Sequence, residues 1–186
     1  DKTFFSVNNS DFTEGTSVAV TEAGVNVVSF YSVDKVGNKE EVKTIEVSID
    51  AIAPETVSNA DDQWYQEFTV ELTATDNHSG VDKTFYSVNG SEFEEGTNFT
   101  VTDEGINVIS FYSVDLAGNV EEVKTAEVKI DRTAPETVSN ADDNWHQEFA
   151  VELIVTDEHS GVAQTFYSVN GSEFMEGTGF EVTEEG

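Results

Sequence analysis

The sequence predicts an all-β protein built from tandem repeats of about 81 residues. Residues 1–50 match residues 82–131 at 34 of 50 positions, and residues 53–105 match 134–186 at 41 of 53, both without a gap. Within each repeat, apolar residues alternate with polar ones at period two, and Gly, Asn and Asp separate the alternating stretches. Period-two alternation is typical of half-buried strands, and a fixed long period indicates an array of similar modules.

The two prolines of the chain mark the joins between repeats. Pro54 and Pro135 lie in the same ten-residue segment, APETVSNADD, which occurs at residues 53–62 and 134–143. Proline fixes φ and cannot donate to a sheet ladder, so we expect it where an edge strand begins. The predicted domains are the C-terminal part of one repeat (residues 1–50), a complete repeat (53–131) and the N-terminal part of a third (134–186).

The complete repeat is expected to contain about seven strands, taken here in chain order. A short strand near Thr56 precedes QEFTVELTAT (66–75), whose apolar residues Phe68, Val70, Leu72 and Ala74 share one face. KTFYSV (83–88) ends in the Asn-Gly turn of a predicted hairpin, because Asn and Gly tolerate positive φ. The remaining strands are NFTV (98–101), INVISFYSV (106–114) and VKTAEVKI (123–130). Short strands at this spacing predict a two-sheet β-sandwich of the immunoglobulin-like type.

The complete repeat contains several distinctive segments, namely the Trp before the first long strand and the motifs ATDNHSGV, YSVNG, EGINVISFYSVD and AGNVE. In these segments it resembles a family of bacterial immunoglobulin-like tandem repeats. The resemblance implies an extracellular or cell-surface array of spacer or binding modules, in some proteins attached to large secreted enzymes. It implies no catalytic chemistry. Asn89 departs from the family pattern, which often has Asp at that position.

The composition favours cations as partners. Acidic residues outnumber basic ones 38 to 8, giving a formal net charge of −30. Such a surface repels phosphates and anionic lipid, so we expect neither nucleic-acid binding nor membrane insertion. The absence of Cys excludes disulfides and thiolate sites. No stretch approaches about 18 apolar residues and no leader opens the chain, so neither a membrane helix nor a signal peptide is predicted.

Several carboxylate and amide side chains are predicted to meet at the joins. In an immunoglobulin-like sandwich, the loops after the second and sixth strands lie at the end where the linker from the preceding repeat arrives. Converging oxygens without a basic partner are typical calcium ligands. The simpler alternative is that these residues only form Asx-turns with their own backbone. The candidate ligands are Asp50, Asp76, Asn77, Asp115 and Asn119 at the first join, and Asp131, Asp157 and Glu158 at the second.

Catalysis is not predicted. Carboxylate pairs can cleave glycosides, but this surface carries carboxylates throughout and has no recognisable nucleophile motif. His78 and His159 lie in the predicted turns DNHSG and DEHSG, and both side chains are expected to be exposed. The pairs Trp64-Tyr65 and Trp145-His146 are either a stacking platform for glycans or, as we favour, places where a Trp closes the open end of a sandwich core.

The leading functional hypothesis is a non-enzymatic spacer, stalk or filament whose joins are stiffened by cations. Its expected partners are the neighbouring repeats of the array. The chain begins and ends inside a repeat, so it is either a segment of a longer array or is completed by strands from copies of itself. The alternative is an adhesin-like accessory module that binds glycan or protein and is attached to a larger secreted enzyme.

Overall fold

The computed structural model describes residues 2–183, and all regular structure in that range is β-strand. The predicted all-β fold is therefore confirmed. Among the described residues, no helical segment has the length and apolar character needed to cross a membrane. The first predicted repeat forms one antiparallel sheet, in the strand order β2-β1-β3-β4. Its strands are β1 (Lys2–Val7), β2 (Thr13–Glu14), β3 (Gly24–Val33) and β4 (Lys43–Ile49).

The complete repeat holds eight strands in two sheets, which is the layer arrangement of a β-sandwich. The smaller sheet has the order β10-β7-β5 and the larger the order β6-β12-β11-β8-β9. Strand β6 pairs with β12 in parallel, whereas β5, a few residues earlier, pairs antiparallel with β7. The strands are β5 (Glu55–Ser58), β6 (Trp64–Tyr65), β7 (Phe68–Thr75), β8 (Val81–Val88), β9 (Glu94–Glu95), β10 (Asn98–Val101), β11 (Gly105–Asp115) and β12 (Lys124–Ile130).

The third predicted repeat contains a three-stranded sheet in the order β13-β14-β17 and a two-stranded sheet of β15 and β16. Its long strand β14 alternates between partly buried and exposed residues, as period-two patterning predicts. The strands are β13 (Glu136–Ser139), β14 (Phe149–Thr156), β15 (Phe166–Tyr167), β16 (Met175–Glu176) and β17 (Gly179–Val182).

The predicted inward face of β7 is confirmed. Val70 and Leu72 are buried, while Thr69, Glu71 and Thr73 on the opposite face are exposed. Strand β11 of the other sheet also buries alternate residues, the apolar Ile109 and Phe111 among them. Apolar burial on the facing sides of two sheets supplies the main stabilisation of a sandwich, at about 25 cal/mol per Å².

A buried glutamate connects the two sheets of the complete repeat. Glu121 accepts hydrogen bonds from the Thr56 backbone N–H (2.8 Å) and hydroxyl (2.6 Å) in β5, and from the Ser113 N–H (3.1 Å) in β11. The Thr56 hydroxyl also lies 2.7 Å from that of Ser113. Lys124 Nζ lies 2.7 Å from the Glu121 carboxylate and compensates its charge. This polar contact fixes β5 against the opposite sheet.

The chain divides into two compact units. The first draws on Asp1–Asn59, Glu71–Asn98 and Ile109–Ala126, and the second on Ala60–Val70, Phe99–Val108 and Glu127–Gly186. Residues 50–52, which link the first predicted repeat to the second, lie in the first unit. Residues 131–133, which link the second predicted repeat to the third, lie in the second unit. The assignment of 1–50, 53–131 and 134–186 as successive repeats stays a prediction.

Candidate functional site

The first join comprises linker residues 50–52 and the loops 76–80 and 115–119. Asp50 directly follows β4, and its carboxylate accepts hydrogen bonds from the backbone N–H groups of Ile52 (3.0 Å) and Ser79 (2.9 Å). Asn119 donates from its side-chain amide to the Asp50 carbonyl (3.2 Å). One linker residue is therefore bonded to both loops of the following repeat.

The loop 76–80 is an Asx-turn, as the turn interpretation predicts, and the loop 115–119 is closed by bonds between Asp115 and Asn119. Asp76 Oδ1 accepts from the N–H groups of His78 (3.0 Å) and Gly80 (2.8 Å). Gly80 has φ of +88°, a conformation that disfavours a side chain. Asp115 accepts from the backbone N–H of Asn119 (2.8 Å) and from its side-chain amide (2.7 Å). The chain geometry at these turns thus depends on carboxylates.

The same turns bring three carboxylates together. Ligand atoms of Asp50, Asp76 and Asp115 all lie within 4.8 Å of one another. Asp115 is 2% exposed, and Asp76 Oδ2 is buried with no hydrogen-bond partner among the described residues. Within residues 2–183, no Lys, Arg or His forms an ion pair with any of the three. The cluster is chemically suited to a hard cation.

Hydrogen bonding favours the charged form of Asp50. The side chain of Ser79 and the backbone N–H groups of Ile52 and Ser79 lower the pKa of Asp50 to about 2. Its carboxylate is therefore ionised at neutral pH. The same residue type and the same cause recur at Asp131, whose pKa is lowered by Ser160 and by the Thr133 backbone.

Two predicted ligands of the first join are placed differently from the three aspartates. Asn77 is exposed in the turn after Asp76, and its side chain makes no hydrogen bond among the described residues. Asn119 contributes amide hydrogen atoms, which orient Asp115 and the linker backbone. The ligand role predicted for these two asparagines stays a prediction.

The second join comprises linker residues 131–133, the loop 157–161 and Glu104. Asp131 repeats the contacts of Asp50, accepting from the N–H groups of Thr133 (3.1 Å) and Ser160 (2.9 Å). Asp157 repeats those of Asp76, accepting from the N–H groups of His159 (3.2 Å) and Gly161 (2.7 Å). The backbone geometry of the joins is therefore reproduced 81 residues apart.

Of the three ligands predicted at the second join, Asp131 meets two residues that were not predicted. Asp131 lies close to Glu104 and His159, with all ligand atoms within 4.8 Å, while Asp157 and Glu158 lie outside this group. The sequence predicts an exposed His159, but its side chain is only 23% exposed. Glu104 has no counterpart in the first repeat, where Ala23 takes its position. Only the fold brings these residues together, because Glu104 and His159 are 55 residues apart in sequence.

The two tryptophans occupy different environments. Trp64 lies on β6, is partly buried and makes an edge contact with His159, with ring centroids 5.6 Å apart. Trp145 is 95% exposed. The expectation that a Trp closes the core is therefore wrong at Trp145, since no strand in residues 2–183 pairs with this segment as β12 pairs with β6.

Neither a protein-family model nor a curated protein sequence matches the chain. Membership of the bacterial repeat family thus stays a prediction. One similar solved structure is described as Clostridium thermocellum CbhA fibronectin(III)-like modules, with 14% identity over 69% of this chain and 77% of that chain, and a TM-score of 0.37. Another is the central fibronectin-III array of RIM-binding protein, with 12% identity over 82% of this chain and 67% of that chain, and a TM-score of 0.29. Likenesses at these TM-scores do not bear on function.

Proposed function

We propose that the chain is a non-enzymatic structural spacer of an extracellular tandem-repeat protein, and that carboxylates and calcium hold its joins. The observation that carries the proposal is the repetition of one linker contact. Asp50 and Asp131 each bond to an N–H two residues further along the linker and to an N–H in the next repeat. A spacer needs equivalent joins, whereas a binding site needs only one specialised module.

The linker contact restricts motion in two ways. Its bonds to Ile52 and Thr133 close an Asx-turn within each linker, which limits the backbone dihedrals. Its bonds to Ser79 and Ser160 attach each linker to a turn of the next repeat. That turn is shaped by Asp76 at the first join and by Asp157 at the second. Hydrogen bonds to an ionised acceptor are about twice as strong as hydrogen bonds between neutral groups. These contacts therefore give each short linker a defined geometry.

Calcium is proposed at the first join because three like charges meet there. Two unit charges 4 Å apart repel by about 1 kcal/mol in water and about 4 kcal/mol at an effective dielectric of 20. Oxygens that share one calcium at 2.3–2.6 Å lie at most about 5 Å apart, and the 4.8 Å limit of the Asp50, Asp76 and Asp115 group meets this. Asp76 Oδ2 supplies a buried acceptor that the turns leave unused.

The absence of enzymatic activity is also part of the proposal. The carboxylates of Asp50, Asp76, Asp115, Asp131 and Asp157 accept backbone hydrogen bonds that shape turns. In the proposed spacer, these groups act as structural acceptors that hold the turns and linkers in place.

A thermal melt of the 186-residue chain in calcium and in chelator tests the proposal. Calcium that binds only the folded state should add about 2.7 kcal/mol at 100 times Kd, which raises Tm by several degrees. The variant Asp76→Asn should lose this increase, and Asp82→Asn, an exposed aspartate in β8, should keep it. An unchanged Tm, together with unchanged scattering dimensions, would contradict calcium at the join.

The accessory-module alternative is favoured by one observation, the exposure of Trp145. An exposed Trp can stack on a sugar ring, and His146 next to it is packed against Phe149 at 4.6 Å. A glycan microarray probed with the wild type and with Trp145→Ala tests this alternative. Binding that disappears in the variant would support a glycan-binding module.

A further inference from the structure

We propose that Glu104, Asp131 and His159 form a binding site for a divalent transition metal of the zinc class at the second join. The first join offers oxygen ligands alone, whereas this group offers an imidazole with two carboxylates. Imidazole suits zinc, copper and nickel, and carboxylates alone suit calcium and magnesium. The site is independent of calcium at the first join, because it shares no residue with it.

The placement of His159 is the first observation that supports this site. Its Nδ1 is buried and has no hydrogen-bond partner among residues 2–183, and lies 3.7 Å from Glu104 Oε1. That separation is too long for a hydrogen bond. Buried polar atoms normally have a partner, and leaving one unpaired destabilises the folded state. A metal ion bound between His159 Nδ1 and Glu104 Oε1 would give the nitrogen a partner and would also coordinate the carboxylate oxygen.

The surroundings hold the imidazole ring in one place. Trp64 packs edge-on against it, with centroids 5.6 Å apart. On another side, Nε2 lies 3.5 Å from the position that a Cβ on Gly105 would occupy. The ring therefore lies at van der Waals distance from the backbone at residue 105. A ring fixed in this way presents Nδ1 towards the carboxylates without a further loss of rotamer entropy.

The two carboxylates are oriented by hydrogen bonds, as ligands of metal sites usually are. Glu104 Oε1 accepts from the Arg132 N–H (3.1 Å) and the Thr133 hydroxyl (3.1 Å). Asp131 Oδ2 accepts from Ser160 N–H (2.9 Å). Each carboxylate offers about four lone-pair sites, so acceptor capacity remains for a metal.

The ligand spacing agrees with zinc after a small contraction. With bonds of about 2.0–2.2 Å, two ligand atoms of tetrahedral zinc lie about 3.4 Å apart. The His159–Glu104 distance is 3.7 Å, and all three ligand atoms lie within 4.8 Å of one another. Glu104 is exposed and can move to close the group. Water would complete the coordination, as in zinc sites with three protein ligands.

The first join supplies a matched control within the same chain. His78 occupies the turn position of His159 but is exposed, and Ala23 replaces Glu104. The position of a Cβ on Gly24, which corresponds to Gly105, has no atom within 4 Å. The equivalent histidine therefore lacks both the second ligand and the packing that would fix its ring. Zinc is expected at the second join and not at the first.

The test is a titration of the 186-residue chain with zinc chloride in saturating calcium, followed by calorimetry and by imidazole ¹⁵N NMR. We expect one high-affinity zinc site, a shift of the His159 Nδ1 resonance, and at least a tenfold loss of affinity in His159→Gln and in Glu104→Gln. His78→Gln should bind zinc as the wild type does. Circular dichroism of each variant checks that it is folded.

Equal zinc affinity in His159→Gln and His78→Gln would overturn the proposal, as would a zinc-induced shift at His78 or His146 and none at His159. The outcome is separable from the calcium proposal, because Asp76→Asn should abolish the calcium effect on Tm and leave zinc binding intact. If the chain binds zinc but does not bind calcium, only the proposed calcium site at the first join is refuted.

Discussion

Replacing Glu121 with Ala tests how the two sheets of the complete repeat are connected. The side chain is 8% exposed and accepts three hydrogen bonds from Thr56 and Ser113. Its removal leaves two buried backbone N–H groups without an acceptor, at about 1–3 kcal/mol each. Lys124 is 38% exposed and retains its hydrogen bond to the Thr56 carbonyl. Losing the ion pair with Glu121 therefore adds little to the loss of stability. We expect a total loss of about 3–5 kcal/mol.

The assay is urea unfolding of the 186-residue chain with Trp64 fluorescence as the reporter of the complete repeat, in a Trp145→Phe background. Glu122→Ala is the matched control, because Glu122 is exposed and should change stability by less than about 0.5 kcal/mol. Glu40→Ala, at the same position of the first repeat, should cost less, because Glu40 bonds to Ser32 and Lys43 and has no Thr partner. A loss below about 1 kcal/mol in Glu121→Ala would refute the connection.

The remaining predictions concern the joins and the surface. The lowered pKa of Asp50 means that its stabilisation is complete above about pH 4, the ordinary range of an Asp, and is lost as pH falls towards about 2. The pKa of Asp131 is lowered in the same direction, so its stabilisation is also lost on acidification below the ordinary range of an Asp. Acid titration followed by circular dichroism should show a flatter profile in Asp50→Asn. Gly80→Ala should lower stability by about 1 kcal/mol in urea, because φ at this residue is +88°. Trp145→Ala should leave the urea midpoint unchanged, since the side chain is 95% exposed.

Period-two patterning was sufficient for β7 but not for β11. Residues 68–75 alternate apolar and polar side chains, so local sequence determines both their conformation and the face that is buried. In β11 the buried face carries the polar Asn107, Ser113 and Asp115, whereas Ile106 and Val108 are exposed, so apolar alternation does not identify the buried face there. The two-residue strands β6 and β9 were missed because two residues carry no periodicity. Strand β6 depends on parallel pairing with β12, whose residues Lys129 and Ile130 lie 65 positions further along the chain.

The candidate site was predictable where a residue acts on its own turn. Asp76 and Asp115 carry turn signals in DNHSG and DLAGN, and in the structure Asp76 forms an Asx-turn while Asp115 closes its loop through Asn119. The role of Glu121 was not predictable, because a glutamate in AGNVEE has the pattern of a solvated loop charge. The pairing of Glu104 with His159 depends on tertiary contacts that no local spacing encodes.

The central claim is that each join has one defined geometry set by its linker aspartate. Double electron–electron resonance across the first join measures this most directly, and the absence of native Cys allows clean labelling. Labels at Val36→Cys and Glu92→Cys, both exposed, report the distance between the first and the complete repeat. We predict one narrow distance in calcium, which broadens in chelator and more so in Asp50→Ala. An equally broad distribution in all three samples would contradict the account.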